Sequence, residues 1–119
     1  MELEIKGKTY PLKASFRFLE TIEKKSRIKK NDIDIDLGLV FCVTQMQDGD
    51  MRCLRDILLA LNAGQNPILK ESALEAWLED ECEDIDALVE EVLDFLSKAN
   101  VCKKKLKAVL DLEAPKITA

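Results

Sequence analysis

LGLVFCVTQMQDGDMRCLRDILLALNA, residues 37–63, holds two apolar runs separated by Gln47-Asp48-Gly49-Asp50. At about 100° per residue, Met51, Leu54, Ile57, Leu58 and Leu61 gather on one side of a helix, within about 120° of one another. The first run has two apolar sides. Leu37, Val40, Phe41 and Thr44 form one, and Leu39, Val43 and Met46 form the other. A helix that is apolar almost all round needs cover on both sides. Gly49 suits a C-cap or turn and Asp50 an N-cap, so the two runs should form a tight antiparallel hairpin. Leu59 lies off the inward stripe of the second helix. With Leu39, Val43 and Met46 it makes a set of apolar residues for which this hairpin alone provides no cover.

Toward the N-terminus, Glu2 to Lys6 alternates, with Leu3 and Ile5 on one side, as in a half-buried strand. Lys6-Gly7-Lys8 supplies a turn, and Thr9 to Leu12 resumes the alternation with Tyr10 and Leu12 together. Pro11 cannot donate to a ladder, so this second strand is an edge or is short. An isolated hairpin is marginal in water, so it must lie on something apolar. Ser15 is a candidate N-cap for a helix from Phe16 to about Arg27, with Phe18, Leu19 and Ile22 inward. Glu20–Lys24 and Glu23–Arg27 have the spacing of helical ion pairs. The basic run 24–30 then reads as a solvated helix end, and Asp36 as the N-cap of the next helix. The carboxylates of Asp32, Asp34 and Asp36 do not make a calcium loop. Such a loop needs Gly where Leu37 stands and Glu where Val43 stands.

Toward the C-terminus, residues 62–67 read as a loop. Ser72 to Glu75 matches a capping box for a helix that buries Leu74, Trp77 and Leu78. Ile85 to Lys98 is the most regular helical pattern, with Ile85, Leu88, Val89, Val92, Phe95 and Leu96 on one face. Asn100 can close it. A last basic helix over residues 101–110 would use Val101, Leu106, Val109 and Leu110. The expectation is therefore a mainly α (α+β) fold, an N-terminal β-hairpin packed on a compact bundle of five to six helices. It forms a single domain over residues 1–112 with a flexible tail at 113–119.

The chain has 119 residues and a net charge of −5, which argues against general nucleic-acid binding. Charge is segregated. Residues 1–30 carry nine Lys/Arg and four Asp/Glu, whereas Glu71 to Asp94 carries eleven acids and no base. Such segregation can pair within one chain or between copies. Cys42, Cys53, Cys82 and Cys102 include no C-x-x-C pair, and there is no His. Neither a zinc site nor an activated thiol nucleophile is indicated, and unpaired cysteines suit a reducing cytoplasm. No signal peptide and no membrane span is expected. Phosphate-binding loops, dinucleotide fingerprints and serine nucleophile motifs are missing, so no catalytic, cofactor-binding or metal-binding residues are proposed.

Several stretches together resemble the tail assembly chaperones of long-tailed bacteriophages, in their Gram-positive-type form. They are the opening LEIKGKTYPLKASFRFLETIEKK, the apolar helix after a basic loop, and the QDGD turn before MRCLRDILLALNA. EAWLED, IDALVEEVLDFL and the lysine-rich VCKKKLKAVL complete the set. The resemblance spans roughly residues 2–110. It implies a non-enzymatic protein of the host cytoplasm that binds the tape-measure protein, keeps it soluble until tail-tube subunits polymerise, and is absent from the mature virion. In many such phages a frameshifted longer form recruits the tail-tube protein. The competing class is a small virion structural protein, a head–tail completion or tail component.

A holdase needs apolar surface for its client and charge for solubility. Two readings of the surplus apolar residues follow. Client helices lie against Leu39, Val43, Met46 and Leu59, or the terminal helices of the same chain cover them. Self-association, basic N-terminal region to acidic C-terminal region, is a further expectation.

Overall fold

The computed structural model describes residues 1–25, 27–30, 33–36 and 38–107, with backbone alone over the described part of 25–36. The first hairpin pairs β1 (Glu2–Ile5) with β2 (Lys8–Pro11), setting Leu3 opposite Tyr10 and Ile5 opposite Lys8. Lys6 and Gly7 turn the chain, both at positive φ (52° and 77°), the twist that two-residue hairpins favour. Leu3, Ile5, Tyr10 and Leu12 are all buried, as the alternation requires. The Leu12 and Lys13 N–H groups donate to Met1 O and Leu61 O, each at 2.9 Å, which ties the hairpin to the end of α3 (Met51–Asn62).

Helix α1 (Phe16–Lys25) begins where expected, because Ser15 Oγ accepts the Phe18 N–H at 3.1 Å. It ends two residues before the expected Arg27. A second antiparallel hairpin follows, β3 (Arg27–Lys30) and β4 (Ile33–Asp36), in place of a solvated helix end and a loop. The physical reason is alternation. I-D-I-D repeats apolar and polar residues with period two, R-I-K does the same before Lys30 breaks it, and the register sets Arg27 opposite Asp36, Lys29 opposite Asp34 and Ile28 opposite Ile35. Glu23 and Arg27 are therefore not an i,i+4 pair on one helix. Asp36 ends a strand rather than capping α2, and Leu37 lies outside the described residues.

Helix α2 (Gly38–Gln47) opens at Gly38 with φ +48°, where an added Cβ would stand 3.1 Å from Glu23 Cγ of α1. Glycine takes that backbone without strain and leaves the Glu23 side chain undisturbed. The α2–α3 hairpin forms as expected. Gly49 N–H donates to Met46 O, and the Asp50 carboxylate accepts the Arg52 N–H at 2.9 Å. Helix α3 sits at the centre and packs against α1, α2 and α4 (Glu71–Asp80), burying Leu54, Ile57, Leu58 and Leu61 completely. Each such side chain is worth about 1.5–3 kcal/mol of burial.

Helix α4 starts at Glu71, with Lys70 before it and no side-chain cap, so the expected capping box at Ser72–Glu75 does not form. Glu75 instead reaches across to α3. Helix α5 (Ile85–Lys98) keeps its expected bounds, capped by Asp84 accepting the Ala87 N–H at 3.0 Å. A short helical segment at 103–107 follows, with Cys102 and Leu106 buried. The rest of the expected last helix, including Val109 and Leu110, and the tail 113–119 lie outside the described residues. The architecture is thus mainly helical with the N-terminal hairpin packed on it, as expected, plus one hairpin that was not.

Candidate partner-binding surface

The four residues expected to face a client lie mostly inside. Leu39, Val43 and Met46 belong to the core, and Leu59 is half-buried against it. A client cannot rest on the first three while the fold stays closed. Helix α2 is flanked by α1, α3 and α5, and it turns the Leu39, Cys42, Val43 and Met46 stripe toward them. The reason is composition. That stripe has the i, i+3, i+4, i+7 spacing and is apolar at every position once Cys42 is counted, whereas the opposite stripe includes Thr44. The opposite stripe therefore faces out, with Phe41 37% exposed and Val40 and Thr44 half-buried.

Apolar surface is also found elsewhere. Phe16 at the start of α1 is 73% exposed, Ile68 ahead of α4 is 57% exposed, and Met51 at the start of α3 is 39% exposed. Met51 joins Leu78 of α4 in a cleft of about 300 Å³ between α3 and α4, with Arg52, Arg55, Glu75 and Glu79 completing the walls. Both Met51 and Leu78 read from the sequence as inward residues. The missed signal is position. Met51 is the first residue of its helix, where the stripe runs past the end of the core. Leu78 follows one turn after Glu75, which is drawn toward α3.

Arg55 holds the cleft together. Its Nη1 donates to Glu75 Oε2 at 2.8 Å and its Nε to Asp56 Oδ1 at 3.0 Å. Partial burial by itself would lower the Arg55 pKa, but the bonds to Asp56 and Glu75 outweigh it and the guanidinium is held more firmly charged. Asn62, wholly buried at the end of α3, fixes the approach of α4. Its Nδ2 donates to Pro11 O (3.0 Å) and Pro67 O (3.2 Å), and its Oδ1 accepts the Leu69 N–H (2.6 Å). A second cleft of about 330 Å³, lined by Met1, Glu91, Asp94, Phe95, Lys98 and Ala99, lies along the outer face of α5.

The acidic residues of α4 and α5 are almost all exposed. Among the described residues, Glu75 pairs with Arg55 and Asp94 with Lys98 (3.2 Å), while Glu79, Glu81, Glu83, Asp86, Glu90 and Glu91 form no ion pair. The cysteines are structural in character. Cys42, Cys53 and Cys102 are buried and Cys82 is half-buried. Burial, reinforced by the neighbouring Cys42, pushes the Cys53 thiol up to about 12, and burial alone pushes Cys102 up to about 11. Thiols so placed are poor nucleophiles at neutral pH. Among the described residues no cluster of three or more His, Cys, Asp or Glu could hold a metal ion, and no helix is long and apolar enough to cross a membrane.

A mainly helical domain with exposed acids on α4 and α5 and an apolar cleft between charged walls has the character of a protein-binding module. The family model for phage tail assembly chaperone protein matches residues 2–110, and the chain belongs to that family, which is non-enzymatic. No curated protein and no solved structure matches the chain.

Proposed function

We propose that the chain binds the tape-measure protein of its phage and keeps that long, apolar, helical polypeptide soluble until tail-tube subunits assemble around it. The observation that carries this reading is the family match over nearly the whole chain. Two structural features support it. Exposed apolar residues, including the Met51–Leu78 cleft, offer client contacts, and the unpaired acids of α4 and α5 keep a loaded complex apart from its neighbours. Release before the virion is complete, recruitment of the tail-tube protein through a frameshifted longer form, and action in the host cytoplasm belong to the same proposal.

Coexpression tests it. The tape-measure protein should be soluble with this chain and aggregate without it, and the two should copurify. Mass spectrometry of purified virions should find no copies of the chain. A tape-measure protein equally soluble alone, or stoichiometric chain in the virion, would favour a structural tail component. Self-association rests on charge: Lys6, Lys8, Lys13 and Arg17 are exposed at one end of the sequence and the acids of α4 and α5 toward the other. Light scattering should then show assemblies that dissociate as salt rises, and a monomer at every ionic strength would exclude them.

A further inference from the structure

We propose that the α3–α4 cleft receives one amphipathic helix of the client, bearing acidic residues along one flank of its apolar stripe and basic residues along the other. This rests on the chaperone reading and assigns it a site. The floor is apolar and adaptable. Met51 is unbranched, flexible and exposed, and Leu78 continues the apolar surface on α4. The cleft is open to solvent, and its volume of about 300 Å³ suits a few side chains from a helix laid along it rather than an enclosed ligand.

The walls differ in sign. On α3, Arg52 reaches only the Asp50 carboxylate, at 3.5 Å, and its side chain remains 81% exposed. On α4, Glu79 is exposed and has no ion-pair partner among the described residues. Arg55 and Glu75 neutralise each other between them, so they join the walls and leave the outer pair to meet a partner. A helix flanked by one sign of charge meets a like charge on one wall, which costs affinity. A helix with one flank of each sign matches both. Turning such a helix end for end exchanges its flanks, so for a given helix the walls favour one direction, and exchanging their signs favours the reverse.

The test uses the full chain with its methionine methyl groups labelled with carbon-13, and a synthetic helix of about 20 residues as probe. The probe carries Leu at i, i+3, i+4 and i+7 spacing, Glu along one flank and Lys along the other. The Met51 methyl signal should shift saturably, while those of Met1 and the buried Met46 stay in place. Met51→Asp, tolerated at a helix N-terminus, should weaken binding about tenfold or more. R52E and E79K should each weaken it about threefold, and the double swap R52E/E79K, which restores one wall of each sign, should return it to within about twofold of wild type. Phe16→Asp should change nothing. The proposal is overturned if Met51 does not respond, if Met51→Asp binds equally well, or if the double swap is weaker than either single variant. Peptide binding at Met51 with a tape-measure protein that gains no solubility would uphold the cleft and reject the chaperone reading. Client rescue undiminished in Met51→Asp would reject the cleft and uphold that reading.

Discussion

Replacing Asn62 by Ala should be the most damaging single change of a polar residue in the described structure. The side chain is wholly buried and joins three segments: β2 through Pro11 O, the 62–69 loop through Pro67 O, and the approach to α4 through the Leu69 N–H. The Leu69 N–H is buried, and losing its acceptor costs about 1–3 kcal/mol. The two carbonyls are partly buried and partly recoverable by water, at about 0.5–1 kcal/mol each. The sum is about 3 kcal/mol, and at about 4 °C per kcal/mol for a domain of this size the Tm should fall by about 12 °C. Urea unfolding should show a lower midpoint with an unchanged slope, since the surface exposed on unfolding is nearly the same. Because Asn62 also seats α4 against α3, any residual folded Asn62→Ala should lose peptide binding in the cleft. A Tm drop of under about 4 °C would refute the reasoning, showing that water or backbone shifts satisfy the three groups without the amide.

Three further outcomes are expected. Cys53 has a folded pKa of about 12 against an ordinary 9.0, so its contribution to stability is fully present below pH 9.0 and is lost as pH rises toward 12; Cys53→Ala should lose less stability than wild type between those limits, in denaturant titrations at fixed pH. Burial has the largest single effect on the Asp50 carboxyl and raises it, but the Arg52 N–H, the Arg52 side chain and the Cys53 N–H together outweigh burial, so its pKa lies below the usual 3.8. Its stabilisation is present above that usual value and lost as pH falls through the lowered one, so Asp50→Ala should cost about 1 kcal/mol at pH 7 and less at pH 2, by urea unfolding at both. Gly38→Ala forces an L side chain to φ +48° and into Glu23 Cγ at 3.1 Å, and calorimetry should find it less stable by about 1–2 kcal/mol.

Local pattern was enough to read the first hairpin, the caps at Ser15 and Asp50, the α2–α3 hairpin and α5. Each rests on neighbours a few residues apart: the period-two burial of Leu3, Ile5, Tyr10 and Leu12, or a side-chain oxygen two or three positions before an N–H. The second hairpin is legible only in part: I-D-I-D alternates, but R-I-K-K is charged at three of its four positions and fits a solvated helix end as well as a strand. The capping box at Ser72–Glu75 failed for the opposite reason. Its local pattern was present, and a longer-range partner, Arg55, took the Glu75 carboxylate.

What the sequence by itself determined is that α2 carries more apolar surface than one face can hold, and that the chain bears no set of groups for catalysis. Which face of α2 goes inward needed the tertiary structure, with α1, α3 and α5 packed on one side, because the two stripes have the same spacing and the sequence offers only a small bias, Thr44 against an unbroken apolar row. The Met51–Leu78 cleft is tertiary in the same sense. Its residues come from helices twenty and more positions apart, and their proximity depends on the buried Asn62 amide and the Arg55–Glu75 ion pair, neither of which has a periodicity to read.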